Sequence, residues 1–217
     1  MVELTKVRFD SSGVECVGYL YHPGSVGGTL PCVVLSTGFS GTQDTPSLQA
    51  VAQGFATAGF TALTFDYRNF GESDGAPRQL ISIKGQQEDL HAAIRFARSQ
   101  AGIDMERIVL WGTSLGGGHV IAVAADDPQI AAVVAQIPFN GFPKKVEGRS
   151  SAATRRLLGA MVRDIICGWL GRPPHYIRAV GTSGELAVMA TPQAQQTIDA
   201  MQSIQWRNEV APRVLSR

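Results

Sequence analysis

Arg107-Ile108-Val109-Leu110-Trp111-Gly112-Thr113-Ser114-Leu115-Gly116-Gly117-Gly118 is the stretch on which the fold turns. Residues 107–111 form a short apolar run, the pattern of a strand buried on both faces. Residues 115–125 are rich in Gly and Ala and predict a helix. Between them, Gly112-Thr113-Ser114-Leu115-Gly116 matches G-x-S-x-G. The pentapeptide alone is a weak signal, but a strand before it and a helix after it make it informative. A serine on so sharp a strand-to-helix turn sits in strained backbone. Small residues at 112 and 116 leave room for the turn, and Gly117 and Gly118 let the helix pack close to the sheet. The hydroxyl of Ser114 is then presented at the carboxyl ends of the strands, where open α/β sheets bind ligands. The helix N-terminus beside it favours developing negative charge.

Working outward, Cys32-Val33-Val34-Leu35 and residues 60–65 are further short apolar strands. Thr45-Pro46 predicts a helix start with proline at the first position, running to about residue 58 and stopping at Gly59. Ser82 can cap a helix reaching residue 99, with Leu90, Ile94 and Ala97 on one face. Residues 130–137 make another strand. Strands alternating with helices predict an α/β fold, a doubly wound, mostly parallel sheet. Residues 2–9 and 14–21, joined by Asp10-Ser11-Ser12-Gly13, add an antiparallel N-terminal edge. After Pro138 the alternation stops. Residues 139–217 read as helices and loops without a convincing strand, with helices expected over 152–170 and from Thr191-Pro192 to about 204. The expected organisation is a core over residues 1–139 and a helical lid or cap over 140–217.

An acyl-transfer serine needs backbone N–H donors aimed at the tetrahedral oxyanion. Leu115, the residue after Ser114, supplies one. The loop Ser36-Thr37-Gly38-Phe39-Ser40-Gly41 is placed to supply the other, from Phe39. A third segment, Asp66-Tyr67-Arg68-Asn69-Phe70-Gly71-Glu72-Ser73-Asp74-Gly75, follows a buried strand. It reads as support for the site, with Asp66 and Arg68 expected to form a charge-assisted pair.

These segments together resemble the α/β-hydrolase superfamily, most closely its dienelactone-hydrolase-like and X-Pro dipeptidyl-peptidase-like branch. The segments that carry the resemblance are Asp66 to Gly75 with Pro77-Arg78-Gln79, residues 107–118, and Gln136-Ile137-Pro138-Phe139. The resemblance implies Ser114 as nucleophile, Phe39 and Leu115 as the oxyanion hole, a lid after about residue 140, and activity on esters, thioesters or acyl peptides. Thr37 departs from the histidine many relatives carry before Gly38, a shaping position in the loop.

The family places its acid and then its histidine after the lid, on two further strands. This chain reaches Pro212-Arg213-Val214-Leu215-Ser216-Arg217 where the next strand should begin, so the C-terminal strands are expected to be missing. None of the four histidines suits the base. His22 and His91 precede the serine, and His119 lies five residues on along the same helix, aimed away from the hydroxyl. His175 sits in Pro173-Pro174-His175-Tyr176 of the lid. Without two further strands, Ala131-Ala132-Val133-Val134-Ala135 becomes an apolar edge, prone to pairing with another chain.

Composition excludes several other classes. Hydrophobic residues make up 44% and charged residues 17% of 217, too apolar and too little charged for disorder. The net charge of +1 comes without a basic stripe, so no nucleic-acid partner is expected. Arg155, Arg156 and Arg163 read as a solvated helix face. Three widely spaced cysteines fit neither a disulfide framework nor a zinc site. No metal-ligand cluster or phosphate-binding loop appears, and no cofactor is expected. No leader-like or spanning segment is visible, so no membrane association and a cytoplasmic location are expected. The reading is a serine hydrolase for a small acyl substrate. The alternative is an inactive, hydrolase-like binding module. Phe142, Trp169 and Trp206 are candidates for an acyl pocket, though residues at helical spacing more often form lid core.

Overall fold

In the computed structural model, residues 1–24, 28–141 and 150–213 are described. Six strands form one sheet. They are β1 (Glu3–Ser11), β2 (Val14–His22), β3 (Leu30–Ser36), β4 (Thr61–Phe65), β5 (Ile103–Thr113) and β6 (Ile130–Gln136), in the order β1-β2-β4-β3-β5-β6. β1 and β2 form the antiparallel edge, with β2 running against β4. β4, β3, β5 and β6 are parallel. The expected doubly wound α/β architecture holds. Alternation along the central strands explains it. Cys32 and Val34 of β3 face one cluster with Leu63, Phe65, Ile108 and Leu110, while Val33 and Leu35 face a second with Ala62 and Trp111. A strand apolar on both faces is stable only between two layers, at roughly 2 kcal/mol for each large side chain withdrawn from water.

Helices supply those layers. α1 (Pro46–Thr57) puts Leu48, Ala52 and Ala56 on the Trp111 side. α2 (Ile83–Ser99) and α3 (Leu115–Asp126) cover the other face through Leu90, Ile94, Val120 and Val123. Ser82 caps α2 as expected, its side chain accepting from the amide of Gly85. Thr45 precedes the proline of α1 but makes no side-chain cap bond.

The second region departs from expectation. After α4 (Ser151–Trp169) come two strands, β7 (Arg178–Gly181) and β8 (Ala187–Ala190), paired in parallel. Each spans four residues, mostly Ala, Val and Gly, too short to show a period of two. Tertiary contacts create them. Asn208 donates to the carbonyl of Val180 at 2.9 Å and accepts from its amide at 2.8 Å, while Ala179, Val180 and Val188 join the main core cluster. α5 (Ala194–Met201) starts two residues beyond Pro192, after a turn in which the Thr191 hydroxyl donates to the Gln193 side chain at 2.8 Å and accepts from the Gln193 amide at 3.3 Å. The region is stitched to the sheet domain. Ala211 donates to the carbonyl of Gln79 at 3.0 Å, and the Tyr176 hydroxyl to that of Arg78 at 3.0 Å.

β6 has β5 on one side and no strand of the described residues on the other. Val133 and Val134 are 39% and 46% exposed there, so an apolar strand stands at the sheet's edge. No helix among the described residues is long and apolar enough to cross a membrane.

Candidate active site

The parallel register sets the carboxyl ends of three strands level. Ser36 of β3 pairs with Gly112 of β5, and Thr113 of β5 with Gln136 of β6. Ser114 follows at φ 51°, ψ −118°, and α3 begins at the next residue. A non-glycine residue in that region is strained and needs its surroundings to hold it. Three backbone bonds do so. The amide of Ser114 donates to the Gln136 carbonyl at 3.0 Å, and its own carbonyl accepts from Gly118 at 3.1 Å and from Phe139 at 2.8 Å.

The structure brings the turn bearing Phe39 and the start of α3 at Leu115 beside this serine. A Cβ at Gly116 would stand 2.4 Å from the carbonyl oxygens of Ser36 and Thr37, so only glycine lets α3 lie against the loop leaving β3. A Cβ at Gly38 would be 3.4 Å from that of Ser114, which places the turn bearing Phe39 beside the serine. Gly41 donates to Gly38 at 3.1 Å and closes the turn, with Ser40 left-handed at φ 53°. Leu115 is the first residue of α3, so its amide has no intrahelical acceptor.

Beneath the turn lies a buried polar layer. The Ser36 hydroxyl bonds to that of Tyr67, whose phenol burial pushes well above its usual range. The Tyr67 ring meets His119 edge-on at 5.8 Å, and the Nε2 of His119 bonds to Gln86 at 2.9 Å. Burial pushes the imidazole down to about 4, so His119 is neutral at neutral pH and packs away from the serine. His22 lies beside Thr61 at 3.5 Å, and His91 is on α2. The amide of His175 donates to Asp164 at 2.7 Å. Among the described residues, no hydrogen bond joins a histidine to Ser114.

The expected pair of Asp66 with Arg68 does not form. Arg68 turns to α2, where its side chain reaches Asp89 at 2.7 Å and Glu88 at 3.2 Å and its amide donates to Asp89 at 2.8 Å. Fully buried Asp66 instead accepts from the amide of Gln43 at 2.8 Å, its side-chain amide at 2.9 Å and the amide of Glu72 at 2.9 Å. Burial pushes its carboxyl up to about 6, against these bonds. Nothing local in the sequence marks Gln43 and Asp44, because Thr42-Gln43-Asp44 reads as an ordinary polar loop. Of the acyl-pocket candidates, Trp169 is 83% exposed. Trp206 packs on the main core and donates to the Ser40 hydroxyl at 3.4 Å. Phe142 lies outside the described residues. No group of three His, Cys, Asp or Glu side chains among the described residues is arranged to hold a metal.

A mostly parallel sheet, helices on both faces and a G-x-S-x-G turn at the strands' carboxyl ends define an α/β hydrolase. The chain belongs to the family described as serine aminopeptidase, S33, which matches residues 31–211. It is 44% identical over 189 residues to the quorum-quenching protein AidA of Acinetobacter baumannii, covering 87% of this chain and 61% of that protein. It is 34% identical over 184 residues to the thiohydrolase apmlB of Arthrinium phaeospermum, covering 84% of this chain and 58% of the other. The chain thus spans about three fifths of these curated relatives' length. The crystal structure of the α/β hydrolase GrgF from Penicillium sp. superposes with a TM-score of 0.80 at 25% identity, over 99% of this chain and 72% of that one.

Proposed function

We propose that this chain carries the nucleophile half of a serine hydrolase for carboxylic esters or thioesters. Ser114 Oγ attacks the acyl carbon, and the carbonyl electron pair moves onto oxygen, where the amides of Phe39 and Leu115 receive it. Collapse expels the alcohol or thiol, which takes the serine proton by way of a base. Water then releases the acid from the acyl-enzyme by the same path in reverse. The observation that carries this reading is the backbone of Ser114, held at positive φ between the Phe39 turn and the first amide of α3. A relative named as a thiohydrolase keeps thioesters beside esters in the substrate class.

The base and its carboxylate lie, in this reading, on polypeptide beyond these 217 residues or on a partner. Two observations support that. The His119 ring is buried against Gln86 and none of the other three histidines is hydrogen-bonded to Ser114 among the described residues, and β6 presents an open edge where further strands would add. The same facts favour a second reading for the chain by itself, a binding module whose serine is too weakly nucleophilic to turn over.

Hydrolysis of p-nitrophenyl acetate and of a short acyl thioester tests the choice. Turnover abolished by Ser114→Ala supports the hydrolase. Equal, background rates for wild type and Ser114→Ala, with the substrate still bound, support the module.

A further inference from the structure

Two adjacent residues end the turn that bears Phe39, and opposite parts of the chain hold them. Gln43 is fixed to the sheet domain through Asp66 and through its side-chain bond to the Val17 carbonyl at 3.1 Å. Asp44 is fixed to the second region. Its Oδ1 accepts from the hydroxyls of Thr42 and Ser203, each at 2.7 Å, and its Oδ2 from the amide of Gln205 at 3.0 Å. Ser203 in turn accepts from the amide of Trp206 at 3.2 Å, and the Trp206 indole reaches Ser40. Residues about 160 positions apart are thus bonded over a single turn.

We propose that Asp44 is a positioning residue. It ties the oxyanion turn to residues 203–206, so the Phe39 amide is held for an oxyanion only while that segment is seated. This rests on the reading of Ser114 and Phe39 given above. An ionised carboxylate accepts on both oxygens and donates on neither, so it can serve two hydroxyls and an amide at once, and charge strengthens each bond. The turn needs such a tie, because left-handed Ser40 costs conformational energy that the surroundings must offset. Without the carboxylate, the Ser203 hydroxyl and the Gln205 amide lose this acceptor, and the Ser203 oxygen that accepts from the Trp206 amide is no longer held in place. Since an oxyanion donor acts on the transition state rather than on bound substrate, the effect falls on kcat and leaves KM nearly unchanged.

The test compares wild-type, Asp44→Ala, Ser203→Ala and doubly substituted full chains. Hydrogen–deuterium exchange is read over residues 38–42 and 203–206, alongside the second-order rate of fluorophosphonate labelling at Ser114. In each single variant the amides of 38–42 are expected to exchange about tenfold faster and the serine to label about tenfold more slowly, with the double variant no worse than either single one. Asp44→Asn, which keeps the shape and one acceptor oxygen, should fall between. Faster exchange confined to 203–206 overturns the proposal, as does faster exchange over 38–42 with unchanged labelling. If the wild type does not label even with the base-bearing polypeptide supplied, the serine reading fails instead, and exchange alone decides whether Asp44 couples the two segments.

Discussion

Gly116 shows how tightly the site is drawn at the scale of single residues. The carbonyls of Ser36 and Thr37 stand 2.4 Å from where its Cβ would be. They are backbone atoms, so they can move only by shifting the oxyanion loop. Gly116→Ala should therefore cost about 3 kcal/mol, within the usual range for overpacking a dense interior, and lower the thermal midpoint. Buried Asp66 makes a different prediction. Its folded carboxyl is pushed up to about 6 from an ordinary 3.8, so between those values the folded chain holds a proton that the unfolded chain has released. Its contribution to stability is full below about pH 4 and is lost as pH rises to about 6, amounting to about 3 kcal/mol. The stability of wild type minus that of Asp66→Asn should accordingly fall across that interval in urea titrations. An equal gap at pH 4 and pH 7 would contradict it. The strand–Ser114–helix turn was legible from types and spacing, because strand, glycine and helix signals are local. The partners of Asp66 and Arg68 were not. Two opposite charges two residues apart invite pairing, yet Asp89 lies 21 positions on from Arg68 and meets it only once α2 has packed.

Elements with a strong period or a cap were equally legible. α2 begins where Ser82 predicts, and that bond is worth about 1 kcal/mol, so Ser82→Ala should destabilise by that amount in chemical denaturation without changing the cooperativity of unfolding. β3, β4 and β5 were visible as apolar runs because both of their faces are covered. β7 and β8 were not visible. Four-residue strands of small side chains have no pattern of their own, and what makes them strands is Asn208 bonding both ways to Val180 and the core they share with the sheet domain. The Thr191-Pro192 signal was sound in form. The helix follows, but it starts at Ala194 with Gln193 at the cap position, and the Thr191 hydroxyl bonds to Gln193 within the preceding turn. Thr42-Gln43-Asp44 carries no local signal for a related reason, since its partners, Val17, Asp66, Ser203 and Gln205, are distant in sequence.

For the molecule as a whole, one core cluster runs from Phe9 of β1 to Val210, so the sheet domain and the described part of the second region pack as one body. The sheet's two ends differ. β1 closes one side with a polar strand, whereas β6 leaves Val133 and Val134 exposed at the other, beside relatives of which the chain spans about three fifths. An apolar strand edge of this kind favours pairing with another chain. The 217-residue chain is therefore expected to self-associate at micromolar concentration, and Val134→Lys to return it towards monomer in light scattering. A wild type that stays monomeric would remove that expectation.

If Ser114 is a nucleophile set for acyl transfer, it reacts with a fluorophosphonate probe, and intact mass reads the adduct. One adduct is expected on the 23.1 kDa chain, absent in Ser114→Ala and forming faster once the base-bearing polypeptide is supplied. No adduct under either condition, on chains shown to be folded, would contradict it.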